Sequence, residues 1–354
     1  MKKQIKKIIC VSLTLVMLCA NLSSCKKGEV IFSYGDTVMN ENMFSYHLSD
    51  NKTYYLLGVG ATSDAAQFWE MNATQEGKTV GDMAFASIVD NAKEIVASAY
   101  LYDETKRLTD DKSAFNEADI QIEKQVDTLL DQLIKSKGSK SALNEYLSGF
   151  GTDLENLRAY YTLYFKMITL QSSVVVSEQE KEEYFENNYS VVKHILVNTS
   201  FKVRDDGSKV SLTEEEKAQK VELSEEINTR LLAGESFEDL WEIYKESDAS
   251  GAAKYYEGYF VGPNSSFTET FQKAALDMKV GEIRTVESTY GIHIIKKYPT
   301  DAKKYNLYSD VEQELTADIS NNKFDALVTP HIQKVQTNTD VLAKYNMVNA
   351  PILN

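Results

Sequence analysis

Four histidines occur in the 354 residues, and two of them fall in strand-like runs. His194 lies in Lys193-His194-Ile195-Leu196-Val197 and His293 in Gly291-Ile292-His293-Ile294-Ile295. A single strand histidine is more often a satisfied structural residue than a catalyst, so neither makes a site alone. Phe267 and Phe271 stand four apart, the spacing of one helix face, where they serve a core or a pocket. Thiol chemistry is excluded, because Cys10, Cys19 and Cys25 all fall within the first 25 residues. The hydrolase patterns His-Glu-x-x-His and Gly-x-Ser-x-Gly are absent. What remains is chemistry done by imidazole, carboxylate and aromatic surface.

Composition narrows the partners. Against 38 Lys and Arg stand 53 Asp and Glu, a formal charge of −15. Nucleic acid phosphates demand clustered cations, so an acidic chain argues against them. The length fits two or three domains. Hydrophobic content of 43% is ordinary for a packed globular chain.

The first residues read as a leader. Lys2, Lys3, Lys6 and Lys7 precede the apolar run Ile8 to Ala20, a charged region followed by a short hydrophobic one. At 1.5 Å per residue that run is too short to span a bilayer. Leu22-Ser23-Ser24-Cys25 then resembles a bacterial lipobox, which implies Cys25 as the lipidated first residue of the mature chain. The expected location is the extracytoplasmic face of the cell membrane, held by lipid.

The elements that must position the histidines come next. Val30 to Tyr34 and Thr37 to Met39 flank Gly35-Asp36, a strand pair with a tight turn. Phe85, Ile88, Ala92, Ile95, Ala99 and Tyr102 mark one helix, and Ile122, Val126, Leu129 and Leu133 a second that Gly138 ends. Leu154, Leu157, Tyr161, Tyr164 and Ile168 mark a third, behind the capping candidates Thr152 and Asp153. From Ser190 the texture changes to strands. Phe201 to Ser211 reads as a hairpin, and Thr213 with Glu216 as a capping box for a helix ended by Gly234. Ser236 caps another. Beyond Pro299, Val311, Leu315 and Ile319 mark a returning helix, and Val335 to Val341 reads as a late strand.

Residues 191–298 resemble a parvulin-type peptidyl-prolyl isomerase domain. The blocks are Lys193-His194-Ile195-Leu196-Val197, Gly234 through Leu240, Ser247-Asp248 followed by Gly258-Tyr259-Phe260, Phe267 with Phe271, Val280 through Ile283, and Tyr290 through Lys296. Each is weak alone; their order across about a hundred residues carries the resemblance. The whole layout is similar to the PrsA/SurA kind of extracytoplasmic foldase. That resemblance implies an α+β protein with four parts. These are a signal over 1–24, a helical N-terminal domain over 25–186, the parvulin domain over 187–299, and a C-terminal segment over 300–354 packing back on the N-terminal domain.

The resemblance implies His194, Asp248 and His293 as the polar centre, with Ser288 completing its hydrogen bonds. It implies Phe267, Phe271 and Phe260 at the substrate. No cofactor and no metal are implied. The partners are unfolded or newly exported polypeptides containing proline. Rotating an X–Pro bond breaks no covalent bond; its obstacle is amide resonance, a barrier of roughly 18–20 kcal/mol. An enzyme needs only to bind the twisted amide better than the planar one.

The sequence departs from the family where Tyr255-Tyr256-Glu257-Gly258 replaces the usual Gly-Gly-Asp-Leu-Gly. Glu257 then stands where an apolar residue helps wall the pocket, costly unless it faces water. Only Lys202 and Arg204 are basic after the first strand, so a phosphate-reading cluster is absent. A holding chaperone with a feeble parvulin domain is the alternative function. A solute-binding lipoprotein is a third, opposed by the missing alternation of strands and helices.

Overall fold

The computed structural model describes residues 28–60, 64–74, 76–204, 207–246, 255–304 and 308–353. Cys25 and Asp248 lie outside the described residues. The chain is α+β and divides into two compact units, one of residues up to 173 with 324 onwards, the other of residues 174–323.

The first unit opens with the hairpin β1 (Val30–Tyr34) and β2 (Thr37–Asn40), which turns at Gly35-Asp36 with Tyr34 opposite Thr37. Helices α1 (Glu41–Gly58), α2 (Ala66–Trp69), α3 (Val80–Leu108), α4 (Ser113–Lys137), α5 (Lys140–Ser148) and α6 (Leu154–Ser172) follow. Their starts are written in side chains. Asn40, Thr79, Ser139 and Asp153 each accept from a backbone N–H of the first turn, and Gly138 ends α4. In α3 the expected stripe from Ile88 through Tyr102 is buried.

In α6 the buried face is displaced by one residue. Leu157, Tyr160, Met167 and Leu170 are inside, while Tyr161, Tyr164 and Ile168 are half-buried. Two adjacent tyrosines satisfy a three-four spacing equally well, and a hydrogen bond decides between them. His47 Nε2 lies 3.1 Å from the Ile88 carbonyl, so it carries the proton and Nδ1 accepts from the Tyr160 hydroxyl at 3.0 Å. Complete burial holds the His47 pKa down at about 4, and the ring is neutral.

The second unit contains α7 (Glu178–Asn188), β3 (Ser190–Asn198), β4 (Phe201–Val203), β5 (Lys209–Ser211), α8 (Glu214–Leu232) and α9 (Phe237–Tyr244). It continues through β6 (Tyr259–Val261), α10 (Glu269–Asp277), β7 (Ile283–Ser288), β8 (Gly291–Tyr298) and the first part of α11 (Tyr308–Ile332). An antiparallel sheet in the order β6-β3-β8-β7 is its centre. Strand alternation sends Ile195, Val197 and Ile294 to one face, against Ile227, Phe237, Leu240 and Trp241 of α8 and α9. Val192, Val261 and Ile295 face the other way, against Phe271, Ala274 and Ala275 of α10.

The expected boundaries at 187 and 299 fall inside this unit. Val311 and Leu315 of α11 pack with Phe185 of α7 and with Tyr189 and Val191, so both flanks join the sheet domain. From Phe324 onward α11 belongs to the first unit, where His331 Nδ1 lies 3.0 Å from the Tyr34 hydroxyl. The late strand is shorter than Val335 to Val341. Only β9 (Gln336–Thr337) pairs, with β1, before Asn338 caps the short helix α12 (Thr339–Leu342).

Candidate functional site

The α10 face of the sheet carries the two histidines. On β3 and β8 His194 stands opposite Ile295 and His293 opposite Leu196, so the imidazoles are diagonal neighbours on one face. Their Nδ1 atoms are 3.0 Å apart, and the rings lie 12° from parallel with centroids at 5.1 Å. Both residues are buried.

Ser288, at the end of β7, places Oγ 2.7 Å from His293 Nε2 and accepts the backbone N–H of Tyr290 at 3.1 Å. A neutral imidazole has one donor and one acceptor, so the chain runs in one of two senses. Either Ser288 donates to His293, which donates to His194, or both bonds reverse. In both senses one Nδ1 donates and the other accepts; two protonated rings would set N–H against N–H. Burial holds the His293 pKa at about 4, so that ring is neutral.

Over the pair lies an aromatic pocket. Phe271 approaches both imidazoles with centroids at 5.1 Å and is itself 2% exposed. Phe267, one turn earlier, has its ring 5.3 Å from that of Phe271, tilted by 33°, and is only partly buried. Tyr259 of β6 meets His194 edge-on at 4.7 Å and Phe267 at 5.8 Å. With Ser266, Thr268 and Tyr290 these residues enclose about 100 Å³. Pockets for whole small molecules run to roughly 300–1,000 Å³, so this one takes a single compact side chain or ring.

Phe260 is not in the pocket. The β6 register sets Tyr259 opposite Val192 and Phe260 opposite Val191, so alternation turns Phe260 to the other face, beside Phe185 at 6.0 Å. Tyr259 takes the place expected of it. Only the parity of β6 against β3 separates the two, and a three-residue strand gives no pattern from which to read parity.

Glu257 is exposed, which removes the cost of placing a carboxylate at a pocket wall. Gly258, at φ 107°, brings β6 against β3 so closely that a Cβ would sit 2.9 Å from the Val192 carbonyl oxygen. Lys202 is paired with Glu216. Tyr259 donates its hydroxyl to Glu246 at 3.2 Å; burial first, and then this carboxylate, push its pKa well up, so it stays protonated.

Residues 176–299 match the family described as the PPIC-type PPIASE domain. The foldase protein PrsA of Bacillus subtilis is 36% identical over 124 residues, 34% of this chain and 40% of that protein. PrsA of Clostridium tetani is 26% identical over 216 residues, 56% of each. The chain thus spans about half the length, or less, of these curated relatives. Among solved structures, that of PrsA from B. subtilis aligns over 77% of this chain and 91% of that one, at 22% identity and a TM-score of 0.24. PrsA from Bacillus cereus aligns over the same shares at 19% and 0.30.

Proposed function

We propose that this chain, whose residues 176–299 are a PPIC-type prolyl isomerase domain of the PrsA-like kind, isomerises X–Pro bonds in exported polypeptides while anchored to the membrane through lipid on Cys25. The observation that carries the reading is the hydrogen-bonded Ser288–His293–His194 chain beneath an aromatic pocket of single-ring size. The proline ring enters between Phe267, Phe271 and Tyr259. In that dry setting the planar amide, which is the more dipolar form, loses the solvation that favours it, and the twisted amide gains relative to it. The histidine pair shapes the floor and orients the carbonyl. Asp248 is the remaining polar member of the site. No covalent intermediate is involved.

Client holding is assigned to the first unit. Its support is a groove of about 320 Å³ between α4 and α6, floored by Ile122 and Val126 and rimmed by Asp119, Glu123, Arg158 and Lys166. Exposed Tyr54, Leu57, Met71 and Met83 add apolar surface.

The test is cis/trans isomerisation of a proline tetrapeptide by residues 174–323, the compact unit that contains the whole site. Acceleration over the spontaneous rate, lost in Asp248→Ala together with Phe267→Ala, is expected. No acceleration by the folded unit leaves the holding chaperone as the function.

A further inference from the structure

One carboxylate of the first unit stands partly out of water without a partner. Asp50 lies on α1 four residues after Tyr46, three after His47 and four before Tyr54, so the four share one side of the helix. Across from them on α6 are Tyr160 and Tyr161, with ring centroids 5.6 and 6.0 Å from that of Tyr46, and Tyr164 one turn on. Asp50 is half-buried, and no hydrogen bond or ion pair reaches its carboxylate from the described residues. The phenol hydroxyls here are engaged elsewhere. Tyr160 donates to His47 at 3.0 Å, and Tyr46 and Tyr161 share a bond of 2.8 Å. Burial raises the pKa values of Tyr46, Tyr160 and Tyr161, and the Asp50 charge adds to each, so the carboxylate is close to all three.

An unpaired carboxylate in such a place is costly. Taking it out of water without a counter-charge is unfavourable, and burial accordingly lifts the Asp50 pKa above its ordinary value. Elsewhere in this unit partly buried carboxylates avoid the cost: Asp64 pairs with Lys52 and Asp103 with Lys166, each at 2.7 Å. With Arg158 held by Asp127, every lysine and arginine of α1 and α6 is committed away from Asp50. The seam meets solvent at Tyr54, which is 68% exposed, and at the half-buried Tyr161, Tyr164 and Phe165. Aromatic faces carry negative potential, and rings beside a carboxylate favour ammonium and guanidinium groups.

We propose that Asp50, with Tyr54, Tyr161 and Tyr164, is a binding site for a single Lys or Arg side chain of an unfolded client, its charge pairing with the carboxylate and its stem lying on the rings. The proposal rests on the assignment of client holding to the first unit and gives that holding a residue preference. The site is separate from the groove between α4 and α6, whose lining contains neither Asp50 nor these tyrosines. An incoming cation supplies the counter-charge that the chain itself does not, so binding relieves the cost of the buried carboxylate.

The experiment measures binding of labelled, unstructured, proline-free peptides to the full chain by fluorescence anisotropy. The peptides differ only in one central Arg, Lys, citrulline or Glu, and citrulline keeps the shape of arginine without its charge. Arg and Lys should bind about threefold tighter than citrulline or more, with Glu weakest. Asp50→Asn should bring the Arg-to-citrulline ratio to about one, and Tyr54→Ala, at a position largely in solvent, should lower it. Glu145→Gln, which removes a charge at an exposed position of α5, should leave it unchanged. Without peptide, Asp50→Asn should melt no lower than wild type, because no internal partner is lost. A ratio unchanged in either Asp50→Asn or Tyr54→Ala, an equal fall in Glu145→Gln, or a lower melting temperature of Asp50→Asn overturns the proposal. If no peptide binds at all, the holding reading fails instead. The site is then judged by tyrosine ring shifts on titrating ethylguanidinium, and identical shifts in wild type and Asp50→Asn overturn it.

Discussion

Acidification should weaken the second unit through His293, by an amount that can be worked out. Burial holds the folded pKa at about 4, whereas an unfolded histidine titrates near 6.5. Between those values the unfolded chain binds a proton that the folded chain does not. Stability then rises with pH, so the contribution is fully present above about pH 6.5 and lost as pH falls toward 4. The slope is at most about 1.4 kcal/mol per pH unit, and the loss between about pH 7 and pH 5 is roughly 2 kcal/mol.

The chain supplies its own reporters for this measurement. It has two tryptophans, Trp69 in the first unit and Trp241 in the second, where Trp241 packs in the core against Phe237 and Leu240. In a Trp69→Phe background, Trp241 fluorescence in urea follows the second unit alone. His293→Gln keeps a polar group toward Ser288 and removes the titration, so its loss between those pH values should be smaller by about 1–2 kcal/mol. Carboxylates titrate alike in both proteins and cancel. Equal losses in wild type and His293→Gln would refute the neutral buried ring. A bound proton at neutral pH would also show as a step in isomerase rate near pH 6–7, where a flat profile down to about pH 5 is expected.

Three further outcomes follow from the geometry. Phe271→Ala should cost about 3–5 kcal/mol of stability as well as activity, because the ring is buried in the α10 core, whereas Phe267→Ala should lose activity at a smaller cost; urea melts and the peptide assay read both. Cys25→Ala should move the protein from the membrane fraction to the soluble one, and unchanged fractionation with lipid labelling would sink the anchor. A chain joining residues 28–173 to 324–353 should fold and slow aggregation of a basic unfolded client; if it folds but does not, holding belongs to the second unit.

Much of this was legible because the informative signals are local. Caps at Asp153, Ser236 and Thr213 mark helix starts from a few residues each, and the parvulin blocks stand in chain order around His194 and His293. What escaped depends on pairing across long separations. The choice of Tyr259 over Phe260 is set by the register of β6 on β3, and that of Tyr160 over Tyr161 by a bond to His47 more than a hundred residues away. The packing of Val311 and Leu315 on Phe185 likewise joins segments that no periodicity connects. Ser288 stands two residues before Tyr290, and the geometry shows what that spacing does: the two-residue turn between β7 and β8 brings its hydroxyl back onto His293.

The electrostatic character of the pocket runs against that of the chain around it. A protein of −15 overall surrounds a centre in which the groups that titrate are pushed toward their neutral forms. Burial lowers His293, which disfavours its cation, and raises Tyr259, which disfavours its anion. One cause thus acts on an acid and a base with opposite sign and the same result. A fixed charge at the pocket floor would interact most strongly with the most dipolar state of the amide, the planar ground state, and so oppose rotation. Neutral donors and acceptors orient the carbonyl without that bias. The acidic groups nearest this site, Glu246 and Glu257, stay out of the pocket lining: Glu246 accepts the Tyr259 hydroxyl and Glu257 is exposed to solvent.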